Sequence, residues 1–201
     1  MNNAHSSPLA SAIRRSPLAP GRWAAAALLA LGLCFTRSAP AGDAPPAKEH
    51  QLKAAFLYNF TKFIEWPAQS FQDTNSPFII GVVGTGPLCA EVERAVKDRK
   101  VNGRALLARP IETVEQARSV HLLFICGSED ARLGEFLNPP QGANILTVGE
   151  SDLFVRGGGA INFVLQADKL RFEINIRAAE RAGLKVSAQL QKLAKTVRNG
   201  S

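Results

Sequence analysis

Side chains that bind metals are scarce in this chain, which has three histidines and three cysteines in 201 residues. His5 and Cys34 fall in an N-terminal stretch that reads as a leader. The remaining His50, His121, Cys89 and Cys126 are not at ligand spacing, so neither a metal nor a cofactor is expected. G-x-S-x-G is missing too, which removes the usual signature of a hydrolase nucleophile. No apolar run reaches the length that spans a bilayer. Charge of one sign is also in short supply. Arg14, Arg15, Arg22 and Arg37 take four from the net charge of +7, and the +3 left after the leader gives no reason to expect nucleic acid.

What is present begins with that leader. Arg14, Arg15 and Arg22 precede the uncharged stretch Trp23 to Thr36, and Ala39-Pro40-Ala41 offers a small-residue cleavage site. Residues 1–41 therefore read as a secretory signal peptide, 42–47 as a Pro- and Ala-rich linker and 48–201 as one domain. An exported chain that keeps two cysteines is expected to join Cys89 to Cys126, because an oxidising compartment lets the bond persist.

Within the domain, Leu52, Phe56, Phe60 and Phe63, widened by Leu57 and Ile64, predict a helix with a broad aromatic face that ends before Pro67. Phe78 to Val83 is an almost unbroken apolar run, as in a parallel strand covered on both faces. Gly84-Thr85-Gly86-Pro87 then opens a helix with Leu88, Val92 and Val96 on its buried side. Short strands are expected at Ala105 to Arg109, His121 to Cys126 and Asn144 to Val148, with helical stretches near Glu112 to Ala117 and Ser128 to Leu137. Gly157-Gly158-Gly159 permits a sharp turn into a strand. Ile161, Phe163 and Leu165 alternate with polar residues, as do Leu170, Phe172, Ile174 and Ile176, so an antiparallel hairpin is predicted. Leu190, Leu193, Ala194 and Val197 then fall at the spacing of one helix face. The class is α/β, with a mostly parallel central sheet flanked by helices, a C-terminal antiparallel hairpin and a terminal helix.

Candidate sites follow from this order. Gly84, Thr85 and Gly86 follow a strand and open a helix, where a small ligand is bound in many open α/β sheets. Tyr58 and Trp66 are aromatic rings available to a protein partner, and Lys185, Lys192 and Lys195 form a basic face for an acidic one. His121 is expected to be a hydrogen-bonded structural residue. Glu150 and Asp152 are expected to serve the first turn of a helix.

Five blocks in order carry a family likeness: LKAAFLYNFTKFIEWP, FIIGVVGTGPL, HLLFICGSE, LTVGESDLF, and GGGAINFV followed by RFEINIRAAERAGLKVSAQLQKLA. Together, over residues 48–197, they resemble the YfiR-like family of exported bacterial proteins. The resemblance implies a periplasmic α/β domain, often dimeric, that represses an inner-membrane diguanylate cyclase by contacting its periplasmic sensor region. It also implies redox-sensitive disulfides. Val120 stands before His121 where some members have a cysteine, so Cys89 and Cys126 are the one pair available. Two other readings are a periplasmic small-ligand sensor or carrier using Gly84 to Gly86, and an enzyme assembled from distant residues.

Overall fold

The computed structural model describes residues 45–138 and 142–198. The expected leader lies outside them. The first helix starts inside the expected linker: α1 runs Pro45–Phe63, with the fixed φ of Pro45 suited to a first turn. Its buried apolar face is Ala54, Leu57 and Phe60, and Ile64, expected to widen the stripe, is buried but already lies in the strand that follows; Leu52, also expected in the stripe, is exposed, and Phe56 and Phe63 are half-buried.

The eight-stranded sheet holds β2 (Phe78–Val83), β3 (Lys100–Val101), β4 (Arg104–Ile111), β5 (Leu122–Ile125), β6 (Leu146–Gly149), β7 (Ile161–Gln166), β8 (Lys169–Asn175) and β10 (Thr196–Arg198). Their order is β10-β8-β7-β6-β5-β2-β4-β3. From β4 through β7 all pairs are parallel. The chain moves outward from β2 to β4 and then crosses back to β5. This reversal is the switch point of a doubly wound sheet, so the carboxyl ends of β2 and β5 flank a natural crevice. A separate two-stranded pair joins β1 (Ile64–Glu65) to β9 (Lys185–Val186).

Alternation along the strands feeds two cores. Phe78, Ile80, Val82, Leu122 and Phe124 face α1 and α2 (Leu88–Val96). Val83, Leu123 and Ile125 face the short helices α3 (Val114–Ala117), α4 (Leu133–Phe136) and α5 (Asp152–Arg156). Strands covered on both faces explain the unbroken apolar runs in the sequence. Within the second core Phe154 lies against Gly149 and Gly159, and a Cβ on either glycine would fall inside its ring. Gly158, at φ +84°, makes the turn that the glycine run predicts.

The hairpin of β7 and β8 closes through Ala167 and Asp168, both in the left-handed region. A second hairpin, β3 to β4, closes through Asn102-Gly103. The outer edge of β4 is partly blunted: Leu106 donates outward to the Arg99 carbonyl, and Pro110, at the same parity, has no N–H to offer.

The predicted terminal helix is shorter than its spacing implies. After α6 (Ile176–Arg181), α7 spans only Ala188–Leu193, capped by the Ser187 hydroxyl accepting from the Leu190 N–H. Leu193 is exposed, and Val197 lies in β10 opposite Ile174. The open backbone of β8 takes precedence. Lys195 N–H donates to the Phe172 carbonyl at 2.8 Å, and β-branched Thr196 and Val197 continue the parallel ladder.

Candidate functional site

The loops after β2, β5 and β6 meet α1 at the carboxyl edge of the sheet. Gly84 and Gly86 have φ of +116° and +138°, which shape the loop that leads into α2. A Cβ on Gly84 would strike the Cys126 side chain, so this turn packs directly on the end of β5. Thr85, Gly86, Cys126, Lys53 and Glu150 line a recess of about 150 Å³ there.

Lys53 is the centre of this edge. It lies on α1 in the same stripe as Leu57 and Phe60 and is buried, and its ammonium reaches Glu150 and Glu49 at 2.5 Å each. The second oxygen of Glu150 accepts from the Gly127 N–H at 2.9 Å. Burial opposes protonation of Lys53, but hydrogen bonds and charge from Glu150 and Glu49 outweigh it and hold the pKa above the ordinary value. Glu150 thus differs from its expected role at a helix start. It clasps α1 to the end of β6, while the Ser151 hydroxyl caps α5 and Asp152 lies in its first turn.

Beside this clasp lies a larger cavity of about 550 Å³, in whose lining Glu49, Lys53, Glu150 and Asn162 meet the apolar Leu165 and Leu170. Asn162 is 4% exposed, and its Oδ1 has no hydrogen-bond partner among the described residues. A buried acceptor in that state is costly unless a donor arrives.

Both cysteines are free thiols in this structure, so the expected bond between Cys89 and Cys126 is not formed here. Burial, reinforced by Glu150, pushes the Cys126 thiol up to about 12. Burial and then Glu93 raise Cys89. Neither is held as a reactive thiolate.

The other candidates lie apart from this edge. Trp66 belongs to an aromatic cluster: Arg104 lies over Phe71, Phe71 and Phe78 each lie nearly parallel to the His121 ring and also approach each other at 6.3 Å, and Trp66 is edge-on to Phe78 at 4.7 Å. Its indole N–H donates to the His121 carbonyl. His121 is the satisfied residue that its position suggests: Nδ1 accepts from the Ile79 N–H and Nε2 meets the Ser70 carbonyl. Tyr58 is half-buried with Lys62 and Arg99 at 4.1 and 4.5 Å over its ring. Hydrogen bonds from those two cations lower the Tyr58 pKa. Lys185 and Lys192 are exposed, and Lys185 pairs in register with Glu65 just beyond the end of α1. Lys195 is engaged with Glu173 at 3.5 Å.

Sequence reasoning missed Lys53, Glu49 and Asn162. The i,i+4 spacing of Glu49 and Lys53 was a visible signal; the partner Glu150, 97 positions away, was not.

A sequence model of the family described as YfiR/HmsC-like matches residues 50–195. The chain belongs to the YfiR/HmsC-like family. No curated protein matches it. At family level this places the YfiR/HmsC-like chain among periplasmic regulators of cyclic-di-GMP signalling, a regulatory and not a catalytic group that works with a cyclase partner. Among the described residues no helix is long and apolar enough to cross a membrane, and no group of three or more His, Cys, Asp or Glu is placed to hold a metal.

Proposed function

We propose that this protein is a non-enzymatic periplasmic repressor of an inner-membrane diguanylate cyclase, acting by contact with the cyclase's periplasmic sensor domain and so limiting cyclic-di-GMP production. The observation that carries the reading is the family match, which runs from within α1 to the residue before β10 and so takes in nearly every described element. The state of the buried groups agrees with a binding role: Lys53 is held protonated, Cys126 is held as a thiol and His121 is committed to two backbone groups. Repression requires that the chain bind the inactive cyclase more tightly than the active one, and its strength is that difference. The candidate contact residues are the rings of Tyr58 and Trp66 and the basic residues Lys185, Lys192 and Lys195. A homodimer presents two such sets. Oxidation would join Cys89 to Cys126 by exchange with a periplasmic disulfide oxidant, whose S–S bond breaks and takes up the two electrons and two protons as a dithiol, and would tie the α2 turn to the end of β5.

The test is a pull-down from detergent-solubilised inner membrane with the full chain as bait, under oxidising and reducing conditions. A diguanylate cyclase is expected to be recovered, and charge reversal by Lys185→Glu with Lys192→Glu should release it. Retention by the reversed variant removes that face. Cys89→Ser with Cys126→Ser should weaken repression, and equal repression and melting would dismiss the redox role.

A second reading, a small-ligand sensor, is favoured by one observation: the unpartnered Oδ1 of Asn162 in a cavity close to the Gly84-Thr85-Gly86 turn. A metabolite that raises the melting temperature with no partner present, and fails to do so after Asn162→Leu, would establish it.

A further inference from the structure

A second recess lies at the opposite, amino edge of the sheet, and its chemistry is the reverse of the first. It measures about 280 Å³, and four arginines line it: Arg156 at the end of α5, Arg177 and Arg181 on α6, and Arg198 on β10. No aspartate or glutamate is part of the lining. Guanidinium groups stay protonated at any physiological pH, so the recess carries charge of one sign, partly screened because all four side chains are exposed. Arg198 is steadied by Glu173 at 3.1 Å. Neither Arg156 nor Arg181 has an ion-pair partner among the described residues.

Three features of the fold converge to build the recess. The parallel pairing of β10 with β8 sets Arg198 opposite Asn175. Asn175 caps α6, accepting from the Ala178 N–H at 3.1 Å, and thereby fixes the helix that carries Arg177 and Arg181. Gly158, held at φ +84°, also lines the recess, and a Cβ there would meet the Arg181 guanidinium at 3.6 Å.

We propose that this recess binds a phosphate monoester group, either free in solution or on a lipid headgroup. The planar guanidinium fork matches phosphate oxygens two at a time, and a dianion relieves the mutual repulsion of the arginines more than a monoanion does. The site is independent of the cyclase reading and distinct from the carboxyl-edge cavity, where carboxylates dominate.

The test is calorimetric titration of the full chain with inorganic phosphate, against chloride at matched ionic strength, with co-sedimentation on vesicles of phosphatidic acid in phosphatidylcholine against phosphatidylcholine alone. Saturable binding of inorganic phosphate identifies a soluble source, and sedimentation only with phosphatidic acid identifies the lipid source. Arg156→Gln with Arg181→Gln should weaken whichever binding is seen by about tenfold or more. Arg156→Gln alone, at an exposed position with no partner to lose, should give a smaller loss with the fold intact by circular dichroism. The proposal is overturned if chloride reproduces the phosphate signal, if neither phosphate source binds, or if the folded Arg156→Gln protein binds as the parent does.

Discussion

Lys53 and Glu150, 97 residues apart in the chain, meet ammonium to carboxylate at 2.5 Å where α1 crosses the carboxyl edge of the sheet. The ammonium is inaccessible enough that its partners decide its state. Removing one member leaves the other buried and uncompensated, which is where ion pairs matter most. Lys53→Met should cost about 2–3 kcal/mol, below the fully buried range because the Glu150 side chain is 22% exposed and keeps its bond from Gly127. Urea denaturation at pH 7 measures it, and a loss no larger than that of an exposed lysine substitution would contradict the clasp. Because the folded pKa of Lys53 is raised, its contribution is fully present below the unfolded value of 10.5 and is lost as pH climbs through the folded one.

His121 gives a dependence at the other end of the scale. Burial first, and the charge of Arg104 after it, lower its pKa below 6.5, and the Nδ1 that would take the proton already accepts from Ile79. The unfolded chain then binds the proton more readily, so stability is complete above about pH 6.5 and falls as pH drops below it. Urea midpoints at pH 7.5 and pH 5 should differ in the parent. His121→Gln, which can still accept and donate, should narrow the gap; an unchanged gap would assign the pH effect elsewhere.

The glycines under Phe154 predict a steric effect with a built-in control. Gly159→Ala should destabilise by about 1–3 kcal/mol through overpacking, since the new methyl meets the ring and the backbone there needs no left-handed φ. Phe154→Leu alone leaves a void, yet the double variant should recover part of the Gly159→Ala loss. Strict additivity in thermal melts would show that the ring is not what the methyl strikes.

Thiol accessibility can be read directly. With Cys126 pushed up to about 12, the thiolate fraction at pH 8 is roughly one in ten thousand. In the reduced native protein, alkylation by iodoacetamide at that pH should reach Cys89 before Cys126, and both should react quickly in urea. Native Cys126 modified at the unfolded rate would disprove this burial.

Where local pattern and tertiary context agree, the fold is legible in the sequence. Phe78 to Val83 and the alternation from Ile161 to Ile174 became strands because each residue's face is fixed by a period of two and a core on the matching side. Asn102-Gly103 carried the hairpin signal of β3 and β4 just as plainly, just ahead of a strand expected only from Ala105 to Arg109. Val197 was not legible. Its spacing from Leu190, Leu193 and Ala194 suits a helix, and only the free backbone of β8, more than twenty residues earlier, decides for a strand. The site divides the same way. Gly84, Gly86 and the edge they mark follow from strand, turn and helix order, whereas Lys53 reads as an ordinary helix surface until Glu150 arrives from β6.

The short β10 and the proline in β4 have a consequence for how any partner is recognised. At one side of the sheet a three-residue strand covers β8, and at the other a two-residue β3 and Pro110 interrupt the outer row of donors on β4. Among the described residues neither border offers a long continuous ladder of amides and carbonyls, which disfavours extension of the sheet by β-augmentation. Such borders favour recognition through side chains on the faces and loops, which makes it answerable to point substitution.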